Sequence, residues 1–319
     1  MKKFFIILLN LLLLYIILLC ADYFIYQKTY TNFLKESDPA FAKLFNKPPY
    51  YIFGSNNQTR ISKKGFNFNG EFRGDFGTNY RKKAIILTGC SFAFGCLLSD
   101  KETFSYKLAE YTKRPVYNRG VSGWGFQHLY FLFNNKLFYK TIPKTPEYVV
   151  YIFIPDHMRR MRLWVDHSLF SSGEYYHLEL IDGKLVEPKS KFYLLYSSYL
   201  GKSICEKYLQ KNISPEKKEY NLKLAEEIFI ESFNSIKAHY PNIKFVILRY
   251  YGEMEPEQGW MDDENFWKSL KNDGFIVLSS KELTGKTLNK QEDLASDNLH
   301  PSGKAWDKVL IPFAKRLKL

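Results

Sequence analysis

Ala84-Ile85-Ile86-Leu87-Thr88-Gly89-Cys90-Ser91-Phe92-Ala93-Phe94-Gly95 is the stretch on which the reading of this chain turns. Its first four residues form a short apolar run, the pattern of a buried strand. Asp100 to Thr112 then reads as a helix. A serine between glycines at a strand-to-helix turn is where a nucleophile is expected. The turn lifts the hydroxyl clear of the sheet, and a helix N-terminus favours negative charge developing nearby. Serine is a poor nucleophile until a base takes its proton, and a histidine held by a carboxylate is the usual base. Asp297-Asn298-Leu299-His300-Pro301 carries both groups three residues apart on one segment.

Outward from Ala84 the pattern is a repeated strand and helix. Val116-Tyr117-Asn118 is a short strand, followed by the turn Asn118-Arg119-Gly120-Val121-Ser122-Gly123-Trp124-Gly125 and a helix over Phe126 to Phe138. Tyr148 to Ile154 is continuously apolar and β-branched, the mark of a central parallel strand. Ile243 to Arg249 and Phe275 to Leu278 are later strands, each preceded by a helix, over Glu219 to Tyr240 and Asp262 to Asn272. A last helix starts near Ser302. The alternation predicts a three-layer α/β/α domain with a parallel sheet of about five strands. Active sites of such sheets lie beyond the carboxyl ends of the strands, where Ser91, Gly120, Asp156 and the Asp297–His300 loop all fall.

These blocks resemble the SGNH (GDSL-like) hydrolase family, whose fold is flavodoxin-like. The family's first block, Gly-Asp-Ser, is matched by Gly89-Cys90-Ser91, and its last, Asp-x-x-His, by Asp297 to His300. The resemblance implies Ser91 as nucleophile, His300 as base and Asp297 as its orienting carboxylate. It also implies oxyanion donors from the Ser91 N–H and, in the second block, from Gly120. The third block commonly supplies an Asn after the central strand, but Asp156-His157 stands there. An ionised Asp accepts hydrogen bonds and cannot donate one to an oxyanion. Three readings stay open: Asp156 is protonated; His157 or one of Arg159, Arg160 and Arg162 does the work; or the site is impaired. His157, Arg160 and Trp124 are further candidates for substrate contact.

The implied activity is a serine esterase removing O-acyl groups, O-acetyl foremost, from an envelope carbohydrate. An O-acyltransferase on a cell-surface glycan and a catalytically silent glycan-binding scaffold are the alternatives. Residues 157–218 interrupt the alternation with a basic, aromatic insertion, including Trp164 and the run Tyr193 to Tyr199, and with a hairpin at Asp182-Gly183-Lys184. Long insertions at such places tend to be lids or binding elements.

The rest of the sequence bounds the setting. Among 319 residues the aromatic fraction is 18%, which argues against disorder over most of the chain. The net charge of +13 comes from scattered Lys and Arg, and no nucleic-acid motif accompanies it. Lys2 and Lys3 precede Phe4 to Ala21, an apolar run long enough to span a bilayer. Large residues before Ala21 argue against a cleaved signal peptide. Residues 1–27 therefore read as a transmembrane anchor with the remainder outside the cytoplasm, in the periplasm or at the cell exterior. Residues 28–82 read as stalk and lead-in, with hairpin-like or extended structure over 50–82, and residues 83–319 as the hydrolase-type domain. The four cysteines form no disulfide framework, and Cys90 and Cys96 read as small buried side chains. No residue spacing suggests a metal site, and no cofactor motif is present.

Overall fold

The computed structural model describes residues 10, 12–17, 75–121, 124–125, 127–162, 178–186, 215–252 and 263–319. Its strands are β1 (Asp75–Phe76), β2 (Ala84–Gly89), β3 (Val116–Gly120), β4 (Pro146–Phe153), β5 (Glu179–Ile181), β6 (Lys184–Val186), β7 (Lys244–Arg249) and β8 (Ile276–Ser279). The helices are α1 (Ser91–Phe94), α2 (Phe104–Thr112), α3 (Gln127–Asn134), α4 (Lys136–Lys140), α5 (Asp156–Arg162), α6 (Pro215–His239), α7 (Glu264–Asn272), α8 (Ser280–Thr284) and α9 (Gly303–Leu317).

The main sheet runs β1-β3-β2-β4-β7-β8. Its last five strands in that order are mutually parallel, in the doubly wound arrangement of the flavodoxin type. The sixth strand, β1, is an addition to the expected set. It pairs antiparallel with β3, so the end of the lead-in joins the sheet edge. Two residues make a weak strand on their own. What fixes this one is Asp75, whose carboxylate meets the buried guanidinium of Arg119 on β3 at 2.7 Å.

Period-two alternation sorts the side chains of β2 and β4 onto two faces. Ile86, Val149, Tyr151 and Phe153 join α3, α6 and α7 in one core. Ile85, Leu87, Val150 and Ile152 join α2 and α9 in the other, where Phe104 and Trp306 lie with ring centroids 4.8 Å apart. Both faces of β2 are buried, which is why it reads as a continuous apolar run.

Two helices depart from their expected spans. The predicted start at Asp100 is a short 3-10 turn, because Glu102 accepts from both the N–H and the hydroxyl of Ser99. Thr103 then caps α2 through Tyr106 N–H. The helix expected to Phe138 breaks at Asn135 into α3 and α4. The hairpin expected at Asp182 is β5–β6, with Asp182 and Gly183 both at positive φ as a two-residue turn requires. Of the N-terminal apolar run, Asn10 and residues 12–17 are described, helical and exposed. The remainder of that run, the stalk and most of the lead-in and insertion lie outside the described residues. Among the described residues no helix is long and apolar enough to cross a membrane.

Candidate active site

The chain's connections leave β2 toward β3 on one side and β4 toward β7 on the other. The switch point therefore lies between the exits of β2 and β4, where parallel sheets form their ligand crevices. Gly89 pairs with Ile152 at that edge, so Ser91 and Asp156 follow two adjacent strand ends.

The turn that carries Ser91 is held by two close backbone approaches. Gly89 sits at φ 137°, and a Cβ there would lie 2.8 Å from the Ile152 carbonyl oxygen. A Cβ on Gly120 would lie 2.6 Å from Phe94 N, so only glycine lets α1 rest on the end of β3. Asn118 completes the joint. Its amide donates to the Ala93 carbonyl at 2.8 Å and to the Ser105 hydroxyl at 3.0 Å, and its Oδ1 accepts from Gly120 N–H at 3.0 Å.

Ser91 is only 8% exposed. Its Oγ lies 2.8 Å from His300 Nε2, across 209 positions of sequence. His300 Nδ1 lies 2.5 Å from Asp297 Oδ2, and the carboxylate places the imidazole proton on Nδ1. Asp297 Oδ1 accepts from Leu299 N–H at 3.1 Å and His300 N–H at 3.0 Å. This tight turn needs Asn298 in the left-handed region, at φ 58°, which Asn tolerates. A bridge between Leu294 and Pro301 closes the loop, and the Phe92 ring lies 5.1 Å from the imidazole. Partial burial pushes the Asp297 pKa up, but the hydrogen bonds from the His300 ring and from the His300 and Leu299 N–H groups outweigh it. The carboxyl ends below its ordinary value.

The third-block position is occupied differently from any amide donor. Asp156 Oδ2 accepts from Arg160 Nε at 2.6 Å, with the two side chains 7% and 8% exposed. Arg160 Nη1 donates to the Trp124 carbonyl at 2.9 Å. The structure thus brings Asp156, Arg160 and Trp124 together, with Trp124 contributing its main chain. Its ring is buried and stacked on His128 at 5.1 Å. His157 is fully buried, with Nδ1 2.7 Å from the Tyr151 hydroxyl and its ring against Phe153. Burial holds that phenol protonated by pushing its pKa well above the usual range. The Trp124 ring and His157, expected as substrate contacts, are thus both buried. Gly120, expected as an oxyanion donor, has its N–H on Asn118 Oδ1, and a Cβ there would meet Phe94 N. The side chains of Arg159 and Arg162 lie outside the described residues. Cys90 and Cys96 are buried free thiols.

Asn118 is the supporting residue the motif reading passes over. Its signal was available: a polar amide inside a buried strand must find partners for both of its ends.

No protein-family model and no curated protein matches the sequence. Solved structures do resemble it. A putative lipolytic protein of the G-D-S-L family from Desulfitobacterium hafniense shares 13% identity over 73% of this chain and 99% of its own, with a TM-score of 0.43. A catalytic mutant of an acetylxylan esterase from Geobacillus stearothermophilus shares 14% over 75% of this chain and 95% of its own, with a TM-score of 0.42. A lipase from a goat rumen metagenome shares 12% over 73% and 97%, with a TM-score of 0.44.

Proposed function

We propose that this chain is a serine ester hydrolase of the SGNH type, acting on O-acyl groups of a carbohydrate. The observation that carries the reading is the hydrogen-bonded line Ser91–His300–Asp297, at 2.8 and 2.5 Å, at the sheet's switch point. In the proposed reaction Ser91 Oγ attacks the ester carbonyl carbon and its proton passes to His300 Nε2. Asp297 stabilises the imidazolium without itself being protonated. The tetrahedral intermediate collapses, the carbonyl–oxygen bond to the alcohol breaks, and the alcohol leaves with the proton from His300. Water then attacks the acyl-enzyme, returns a proton through His300 to Ser91, and releases the carboxylic acid.

The carbohydrate assignment is supported by the aromatic insertion, since sugar faces stack on aromatic rings. The acetyl group is the expectation attached to the family resemblance. The apolar run Phe4 to Ala21 supports a membrane-anchored protein acting on envelope glycans outside the cytoplasm. The test is hydrolysis of a short-chain aryl acetate by the full chain in detergent, alongside Ser91→Ala and His300→Ala. The reading requires turnover by wild type and loss in both variants. Turnover only when a glycan acceptor is added, with acyl-glycan as product, would reassign the chain to acyl transfer.

A further inference from the structure

The proposed hydrolase lacks a recognisable third-block donor, because Asp156 can only accept. We propose that Arg160 is that donor, and that Asp156 holds it in place as a pair. This inference rests on the serine-hydrolase reading.

Four observations converge on it. Asp156 begins α5 at the exit of β4, beside the exit of β2 that delivers Ser91. Arg160 lies one turn further along the same helix, so both side chains share a face. Its guanidinium is tied at two points, to Asp156 through Nε and to the Trp124 carbonyl through Nη1. Those partners come from the loops after β4 and β3, the two places from which oxyanion donors are expected. Among the described residues the second terminal nitrogen, Nη2, makes no hydrogen bond, and it is not sealed from solvent. Both N–H groups of Nη2 therefore remain, with one on Nη1, on a guanidinium whose orientation is already fixed.

The charges support the same placement. Burial alone would lower the Arg160 pKa, but the Asp156 carboxylate more than offsets it. The guanidinium also lies within electrostatic reach of Cys90, the residue preceding Ser91. Paired with Asp156, Arg160 is neutral as a unit and still presents N–H groups outward. That resembles what a side-chain amide offers, with stronger donors once an oxyanion forms. The competing candidate, His157, is turned into the core against Tyr151 and Phe153.

The test uses the full chain and an aryl acetate, with Ser91→Ala, Arg160→Gln, Arg160→Lys and Asp156→Asn/Arg160→Gln beside wild type. Circular dichroism reports folding, and kcat is referred to the folded fraction. Inhibition by phenylboronic acid, which forms a tetrahedral anion on a serine, is measured in parallel. The expected result is a kcat about 10²- to 10³-fold lower in Arg160→Gln, with KM within a few-fold. Boronate affinity should fall alongside kcat, because both report the tetrahedral state. Arg160→Lys should lie between the two. The double variant supplies an amide at the third-block position and removes both buried charges together, so it should recover most of the loss.

Wild-type turnover that is abolished in Ser91→Ala but unchanged within about three-fold in folded Arg160→Gln would overturn the Arg160 assignment and leave the hydrolase reading standing. A rise in KM with kcat and boronate affinity unchanged would overturn it as well, making Arg160 a binding group only. If Arg160→Gln does not fold, the double variant decides. A folded double variant lacking both turnover and boronate binding would overturn the assignment, and one that is active supports it. Absence of wild-type turnover, or turnover retained in Ser91→Ala, would overturn the hydrolase reading and the inference with it.

Discussion

Two pairs of a carboxylate and a basic side chain stand at the same end of the sheet and are built in opposite ways. Asp297 and His300 sit three residues apart on an open loop, 31% and 16% exposed. Asp156 and Arg160 sit four apart on a helix, 7% and 8% exposed. A group that must accept and return a proton needs a partner able to lose one, close enough to water to be re-equilibrated. A group whose task is to keep a charge in place is best made of Arg, which does not deprotonate, and buried where the geometry is fixed. On the proposed reading the difference separates two duties, moving a proton and holding a dipole, that a list of charged residues near a serine would merge.

The sharpest break in this comparison is expected on the proton-moving side. Ser91→Ala and His300→Ala should each lower kcat/KM for an aryl acetate by about 10⁴-fold or more, with folding intact by circular dichroism. Asp297→Asn should follow at roughly 10²- to 10⁴-fold, since the imidazole loses the partner that sets its tautomer. Its unfolding midpoint should barely move, because a partly exposed pair contributes about 1 kcal/mol or less.

Asp156→Ala should reverse that pattern. Removing one partner of a buried pair leaves Arg160 uncompensated, at a cost of about 3–5 kcal/mol in urea or guanidinium unfolding. Equal midpoints for Asp156→Ala and Asp297→Ala would erase the distinction between the two pairs. Asn118→Ala is the next smaller effect. It strands the Gly120 N–H and the Ala93 carbonyl, costing about 1–3 kcal/mol. It should also lower kcat, because α1 loses its tie to β3.

The smallest effect is on acid stability. The Asp297 pKa is below its unfolded value, so its contribution is present above the ordinary carboxylate range, near about 4. That contribution is lost as pH falls through the lowered folded value. Asp297→Asn should therefore narrow its stability gap to wild type below that range. A gap that widens on acidification would contradict the hydrogen bonding seen at this carboxylate.

The parallel strands were legible because burial on both faces writes itself as apolar runs such as Tyr148 to Ile154. The serine, aspartate and histidine were legible because their turns demand particular residues. Three features were not. β1 is two residues long and exists through Arg119, a pairing across 44 positions that no local pattern encodes. Gly120 looks like a donor in sequence, and its close approach to Phe94 N has no local signal. Arg160 looks like one of several arginines until the Trp124 carbonyl, arriving from another loop, singles it out.

The hydrogen bond between Ser91 and His300 joins groups 209 positions apart, while Asp297 and His300 are nearly adjacent. Ribosomal synthesis runs from the amino end, so the nucleophile turn emerges long before its base. The loop bearing the base is followed directly by α9, whose Trp306 meets Phe104 of α2. On the proposed reading a partly made chain would thus carry an inert serine until the segment before α9 is in place. On the same reading, that order of assembly is a form of safety catch.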